Sequence, residues 1–436
     1  MVAARTAERA APARPVVPAH QDALDGLRAA AAGAVLLTHV NSLTGYTFTG
    51  TPVSWVLSRG DVGVPIFFAL SGLLLYRPWA AAVLSGTPRR RLLTYVRRRA
   101  LRILPAYWAV VLIALPVLNP GPARHLGPWL QYLLLVQNYD SHPWWSGTGA
   151  IGLEQAWSLV VEVSFYLILP VLAAALAWVA CRGRRRDTGT GGEETGRRAR
   201  RLLTGIAVLA ASSPCWTVLT YYPRPNFWFY ATLPPLMIWF CAGMAIAVLL
   251  AWAQAEPGPD GPASRLCRSV AASAGMCALI AACAFAIACT PLTGPEFVGV
   301  AGLWASELRT LLYALIALAV VAPVACQPLL TIRAGPAIST RLLSNRVARF
   351  LGKISYGIFI WQFLAAYAFF RLARLETVFH GGSYRAPEVV LIGAAIAAAT
   401  IVTAAVSYYL IERPAQRLRM PHWAGRRTPQ KRQPAG

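Results

Sequence analysis

The sequence predicts an all-α polytopic membrane protein with about ten transmembrane helices and both termini cytoplasmic. Three observations carry this. Of the 436 residues, 56% are hydrophobic and only 13% charged, with a mean hydropathy of +0.49, whereas a soluble chain is about 25% charged. Apolar runs recur at the roughly 20-residue length that crosses a bilayer as a helix. Basic residues alternate between the runs: with the N-terminus inside, about 30 fall in cytoplasmic segments against Arg59, Arg124, Arg224, Arg371, Arg374 and Arg385 outside, a strong positive-inside bias. An odd number of spans breaks that alternation. The net charge of +24 is therefore read as loops facing anionic lipid headgroups rather than as a nucleic-acid surface.

The expected spans are 25–43, 62–84, 102–118, 157–180, 202–221, 230–253, 269–289, 307–326, 350–371 and 388–410. The first is a span and not a signal peptide, because 24 mixed residues precede it and it holds ionisable groups that the apolar core of a signal peptide avoids. It reads LDGLRAAAAGAVLLTHV at 24–40. Arg28 and His39 are eleven residues apart, about 1100° of helical turn, so they share one face about 16 Å apart along the axis. Asp25 stands at i−3 from Arg28, at pairing distance. Ionisable groups at membrane depth cost several kcal/mol and mark function by default. Arg28 reads equally as a side chain snorkelling to the cytoplasmic mouth, and His39 also reads as a hydrogen-bonded histidine packed between helices.

The second span, DVGVPIFFALSGLLLYRPW at 61–79, carries Gly63, Ser71 and Gly72. Small residues there serve close helix packing or leave room for a thin ligand. The third begins RRRALRILPAYW at 97–108. Pro105 suits a first helical turn, and a helix N-terminus beside Arg99 and Arg102 makes a phosphate site; ordinary positive-inside charge explains the same residues. A shorter apolar piece, 128–137, is re-entrant or interfacial. The PWW of the long outer segment 119–156 reads as an interfacial aromatic belt, or as a platform for an acceptor.

The fourth span contains AWSLVVEVSFYLILP at 156–170. Glu162 lies a turn or so below the outer surface, at the depth of His39, so a carboxylate–imidazole contact is geometrically open and would fix the imidazole tautomer. The alternative is a Glu satisfied by Trp157, Ser158 or water. RGRRRDTGTGGEETGRRARR, about 181–201, is expected to be a flexible cytoplasmic loop. The cytoplasmic tails are 1–24 and a basic 412–436. The eight cysteines form no CxxC pair, and small buried hydrophobes are their expected role; no metal is implied. Arginine far outnumbers lysine, which occurs only at Lys353 and Lys431, and the Ala- and Gly-rich composition is that of a GC-rich, actinobacterial type of gene.

These segments, in this order, resemble the acyltransferase-3 family of multi-pass membrane O-acyltransferases, which acylate sugars and natural products. The family carries Arg and His in its first helix at the spacing of Arg28 and His39. DVGVPIFFALSGLLLYRPW is similar to its second-helix signature, RALRILPAYW to its RxxR-then-Pro pattern at Arg99 and Arg102, and WSLVVEVSFYLILP to its Trp-Ser-Leu…Glu…Phe-Tyr segment. LGKISYGIFIWQF at 351–363 and SYYLIERPAQRL at 407–418 resemble its last two helices. Gln362 departs from the pattern, standing where many members have His. The soluble esterase-like domain that some members append is not expected.

The resemblance implies a transmembrane acyltransferase domain over 25–411. It implies an acyl-CoA co-substrate and a hydroxylated acceptor: a sugar, a cell-envelope glycan or a macrolide-like secondary metabolite. Arg28, Ser71, Arg99 and Arg102 would then bind the donor, with His39 as general base and Glu162 orienting it. Two other classes remain. A transporter or flippase shares the ten spans and buried charge. A glycerolipid-type acyltransferase would use the HxxxxD pattern of HQDALD at 20–25, but it needs a cytoplasmic α/β domain for which the N-terminal tail is too short.

Overall fold

The computed structural model describes residues 21–87, 91–182, 191–222, 227–258, 260–294, 302–330 and 338–418. Both tails, apart from their inner ends, lie outside the described residues, as does most of 181–190. Among the described residues the chain is helical throughout and contains no strand. That is what a membrane solvent dictates: with no water to satisfy backbone N–H and C=O groups, each spanning segment must pair its own.

In chain order the helices are α1 (Asp22–Leu43), α2 (Pro52–Ser58), α3 (Gly63–Ser85), α4 (Leu92–Leu118), α5 (Leu126–Leu133), α6 (Ala156–Cys181), α7 (Gly191–Tyr221) and α8 (Phe227–Tyr230). They continue with α9 (Leu233–Ala255), α10 (Pro262–Ala272), α11 (Ala274–Ala288), α12 (Leu303–Cys326), α13 (Ile338–Leu343), α14 (Arg346–Leu372), α15 (Ala386–Ser407) and α16 (Arg413–Arg417). Among the described residues nine segments are long and apolar enough to span a membrane, and α10 with α11 forms a further pair bent by 68°. The Glu256 carboxylate, just past α9, accepts from the backbone N–H groups of Ala263 and Ser264 at the start of α10. Beyond the end of α11, the Gly294 carbonyl receives Arg59 at 2.7 Å, from the turn before α3. Counted as one span broken at Ser273, the bent pair brings the spans among the described residues to ten.

Two boundaries differ from the sequence expectation. Helix α4 starts at Leu92, ten residues before the expected span. Arg99, Arg102 and Pro105 therefore lie well inside it, and the expected phosphate site at a helix N-terminus is replaced by side chains projecting from a helix interior. Helix α7 starts at Gly191, so the second part of the expected flexible loop is helical; Arg is a good helix former, and Arg198 pairs with Glu194 one turn earlier. The apolar piece near 128–137 contains the eight-residue α5, too short to span. The PWW segment folds inward as an aromatic cluster: the Trp144 and Trp145 rings stand edge-on at 5.3 Å, and both pack on Tyr132. Tyr132 in turn accepts from Tyr107 through its carbonyl and from the Ala150 N–H through its hydroxyl.

Small residues set the helix spacing where α3 packs on α9. A Cβ on Gly243 would lie 1.8 Å from the Ala69 carbonyl oxygen, and one on Gly72 would lie 2.2 Å from that of Phe240. The same device holds α1 to α13 and α14, where Gly26 abuts Leu343 and Gly352 abuts Asp25. Aromatic rings fill the next layer. Phe240 of α9 stacks on Phe68 of α3 at 4.4 Å and on Phe165 of α6 at 4.1 Å, which joins three spans around one ring. In lipid such van der Waals fit, and not water exclusion, drives helix association. Gly243→Leu is accordingly expected to lower the melting temperature of the detergent-solubilised protein by at least about 5 °C, or to leave no monodisperse species on size-exclusion chromatography. Gly33→Leu, where a Cβ meets nothing within 4 Å, should change the melting temperature little.

Candidate active site

Five spans converge on one cleft near the bundle axis. It is lined by Arg28 of α1, Ser71 of α3, Arg99 and Arg102 of α4, Ser158, Glu162 and Tyr166 of α6, and Ser355, Tyr356 and Phe359 of α14, with apolar residues of α3 between them. The cavity between these side chains is narrow, with a volume of about 70 Å³. On α3 the lining runs from Val64 to Leu75, a rise of about 16 Å. The cleft is thus elongated along the bundle. Its arginines lie toward the end that carries the first residues of α1 and α4, which we call the basic end.

Glu162 is the polar centre of the cleft. Ser71 Oγ donates to its Oε1 at 2.5 Å, and Tyr166 OH donates to the same oxygen at 2.6 Å. Tyr166 is one turn below Glu162 on α6, so the second bond follows from i,i+4 spacing. Tyr95 of α4 donates to the Tyr166 carbonyl at 3.0 Å, and Tyr356 of α14 donates to the Ile103 carbonyl at 2.8 Å. Those two hydroxyls lock α4 against α6 and α14 around the cleft.

The guanidinium groups differ in their surroundings. Arg28 Nη1 donates to Asp25 Oδ1 at 2.7 Å, the expected i,i+3 pair, and faces Arg102 across the cleft. Arg102 also has Glu412 as an electrostatic neighbour. Glu412 is buried in a π-helical turn, Tyr408–Glu412, between α15 and α16; such turns are frequent at functional sites. Arg99 lies with its Cζ 5.9 Å from the centroid of the Tyr166 ring, a cation–π arrangement, while its Nε is buried with no hydrogen-bond partner.

The cleft therefore unites five of the six sequence-predicted site residues: Arg28, Ser71, Arg99, Arg102 and Glu162. His39 is not among its lining residues. Its ring rests on Phe363 of α14, centroids 4.4 Å apart and tilted by 42°, with Gln362 as a polar neighbour. Phe363 is one turn beyond the cleft's Phe359, so His39 sits just past the cleft on the side away from the basic end. Among the described residues the hydrogen bonds to the Glu162 carboxylate come from Ser71 and Tyr166, and not from the imidazole envisaged from matching depths. Tyr166, Tyr356 and Glu412 belong to the surroundings of the cleft and were missed. Tyr166 had a signal, since it follows Glu162 at i+4 on a polar face shared with Ser158. Glu412 had one too, as a carboxylate within an apolar run. Among the described residues no group of three or more His, Cys, Asp or Glu has the arrangement to hold a metal ion.

The architecture is that of a multi-pass helical membrane protein with a cation-lined cleft buried in its bundle. A family profile described as an acyltransferase domain, of the acyltransferase-3 type, matches residues 21–411, and the chain belongs to that family. It is similar to the peptidoglycan O-acetyltransferase OatA of Listeria monocytogenes, 25% identical over 363 residues that cover 78% of this chain and 48% of the relative. It is also similar to the acyltransferase MdmB of Streptomyces mycarofaciens, 27% identical over 249 residues covering 52% and 57%. A third relative is the O-acetyltransferase OatA of Staphylococcus aureus, 28% identical over 173 residues covering 36% and 26%. The chain spans about half the length of the first two of these relatives, or less for the third. No solved structure matches it.

One carboxyl near the cleft lies outside the spans. Glu154 precedes α6 and accepts from Tyr367 OH at 2.7 Å. Burial pushes its carboxyl up from 4.5 to about 7, against the lowering effect of the Tyr367 bond and nearby backbone N–H groups. A carboxyl raised in the folded state holds its proton more tightly there than in the unfolded chain. Stability is therefore full below about 4.5 and falls as pH rises through about 7, by up to about 3 kcal/mol. Glu154→Gln should match the wild-type melting temperature at pH 5 and exceed it at pH 8, as read by thermal denaturation in detergent.

Proposed function

We propose that the protein is an integral-membrane O-acyltransferase that moves an acyl group from acyl-CoA to a hydroxyl of a sugar, glycan or macrolide-like acceptor. The observation that carries this reading is the convergence of Arg28, Arg99 and Arg102 at one end of an elongated cleft whose other end adjoins His39. Membership of the acyltransferase family and the O-acetyltransferase relatives support the reaction class. The orphaned Arg99 Nε supports an anionic ligand, because a buried unpaired guanidinium donor is costly and phosphate oxygens match its geometry.

In this reading the basic end faces the cytoplasm, where acyl-CoA is found. The CoA phosphates sit against the three guanidinium groups, and the thin pantetheine arm threads past Ser71 and Glu162 toward His39. Neutral His39 removes the proton of the acceptor hydroxyl as its oxygen attacks the thioester carbonyl. The C–S bond then breaks, the new C–O ester bond remains, and the proton passes to the departing CoA thiolate. Glu162, held by Ser71 and Tyr166, keeps a fixed negative charge near the path and steadies the imidazolium electrostatically, without direct contact.

The test is acyl transfer by the purified full chain in detergent, where no transmembrane gradient exists. Acyl-CoA consumption coupled to ester formation supports an enzyme; transport that needs two compartments, with no ester formed, overturns the proposal. His39→Ala should lower kcat by about 10²–10⁴ with the acyl-CoA affinity within about twofold of wild type. Arg99→Ala and Arg102→Ala should each weaken acyl-CoA binding, followed by calorimetric titration, by about tenfold or more. Full turnover by His39→Ala would remove the histidine from the chemistry.

A further inference from the structure

Beyond the cleft, where α1, the start of α6 and α14 meet, lies a second set of polar groups to which no role has been assigned. Gln155 caps α6 and Gln362 lies on α14, and each is only 1% exposed. Gln155 Nε2 donates to the Ile360 carbonyl at 2.7 Å, and Gln362 Nε2 donates to the Phe359 carbonyl at 2.9 Å. Those carbonyls belong to consecutive residues and can only accept, so the orientation of both amides is set: each NH₂ faces α14 backbone, and each oxygen faces away from it. Both Oε1 atoms are buried without a hydrogen-bond partner, as are His39 Nδ1 and Trp361 Nε1. Buried polar atoms are nearly always paired; here Gln362 has the His39 ring as a side-chain neighbour, and with Glu154 Oε2 five such atoms lie along α14 between Phe359 and Tyr367.

We infer that this seam is a subsite for the acceptor, and that it recognises a neutral hydroxyl-bearing compound through the amide oxygens of Gln155 and Gln362 beside His39. The chemistry selects the ligand. Two amide oxygens ask for donors, which excludes a carboxylate or phosphate at this point; the neighbouring Glu154 carboxyl is held by Tyr367 OH through one oxygen, and its other oxygen is a further acceptor for a hydroxyl donor. A hydroxyl donates to an amide oxygen and accepts from the Trp361 N–H, and a polyol does both at neighbouring positions. The seam adjoins the cleft: Phe359 and Ser158 line the cleft, the Phe359 carbonyl accepts from Gln362, and Ser158 Oγ donates to the Gln155 carbonyl at 3.1 Å. A hydroxyl held there stands next to the imidazole. This inference rests on the acyl-transfer reading above and assigns to it the groups that bind the acceptor.

The test uses the full chain in nanodiscs with acetyl-CoA as donor and glycerol, methyl β-glucoside and N-acetylglucosamine as probe acceptors. Gln155→Met and Gln362→Met keep the side-chain length and remove the amide. Each is expected to raise the acceptor KM about tenfold, equivalent to one lost hydrogen bond of about 1.4 kcal/mol, with acetyl-CoA Kd changed less than about twofold. Unchanged KM in both Met variants overturns the subsite while leaving acyl transfer intact. A joint loss of KM, acetyl-CoA affinity and melting temperature also overturns it, because the amides would then hold only structural water. If wild-type protein binds acetyl-CoA but acylates none of the probes, the subsite for small hydroxyl compounds is overturned and the acyl-transfer reading stands on its own test.

Discussion

The structure is organised by the need to keep three guanidinium groups inside a helical bundle. Each Arg at the centre of a membrane helix costs about 2.5–3.5 kcal/mol on insertion scales, and α1 and α4 bring three of them to one cleft. Asp25 takes Arg28 directly, Glu412 neighbours Arg102, and the Tyr166 ring faces Arg99. The Asp25–Arg28 pair forms within α1, but Arg99 and Arg102 meet their partners only if α4, α6 and the end of α15 come together. Gly26 against Leu343 of α13 and Gly352 of α14 against Asp25 bring α1 close to both helices. Compensation is nonetheless incomplete at Arg99, whose Nε is left without a partner. A bundle assembled for stability alone would have no reason to keep that atom dry and unpaired.

Polarity along the cleft changes in kind as well as in amount. At the basic end the groups are cationic; in the middle a single carboxylate oxygen gathers two hydroxyl donors; past Phe359 stand amides, an indole, an imidazole and the Glu154 carboxyl held by Tyr367. Helix α14 is the common wall: Ser355, Tyr356 and Phe359 face the cleft, and the next turn, Gln362 and Phe363, meets His39. Side chains three and four apart on a helix lie one above another, so one face of one helix connects the arginines to the histidine. The opposing face of α6 repeats the pattern with Gln155, Ser158, Glu162 and Tyr166. Two polar stripes on helices that are otherwise apolar thus frame a route through the bundle.

Much of this was legible in the sequence, for a definite reason. Hydropathy reports on the solvent a segment must enter, so the spans were found, and ionisable residues within them stood out against that background: Arg28, Ser71, Arg99, Arg102 and Glu162 do share a cleft. Helix ends were less legible, because outside the hydrocarbon a helix needs no hydrophobicity. The first turns of α4 and α7 are arginine-rich and read as loop, yet they are helix. The bend at Ser273 was not read, although Gly275 stands two residues beyond it. Partnership was the least legible property. Helical spacing says which residues share a face of one helix, and it gave the Arg28–Asp25 pair. Which face meets which neighbour depends on packing across many helices, and that is why Glu162 found Ser71 and Tyr166, while His39 found Phe363 and Gln362.

The separation of Glu162 from His39 bears on how the chemistry would be arranged in the proposed reaction. A carboxylate bonded to an imidazole raises its basicity throughout the cycle; a carboxylate held a short distance away acts through the field alone, and in a low-dielectric interior that field is weakly screened. Glu162 is held where it is by two hydroxyl donors, so its charge is fixed in place before any substrate enters. Such preorganised charge needs no rearrangement when an imidazolium forms. Arg28 and His39 lie about 16 Å apart along α1, a separation matched by the cleft's length along α3. A ligand anchored at the arginines and reaching His39 must therefore be long, thin and flexible, with its anionic end separate from its reactive end. A compact anion such as inorganic phosphate would satisfy the guanidinium groups and leave the histidine untouched, so the geometry favours an extended donor over a small one.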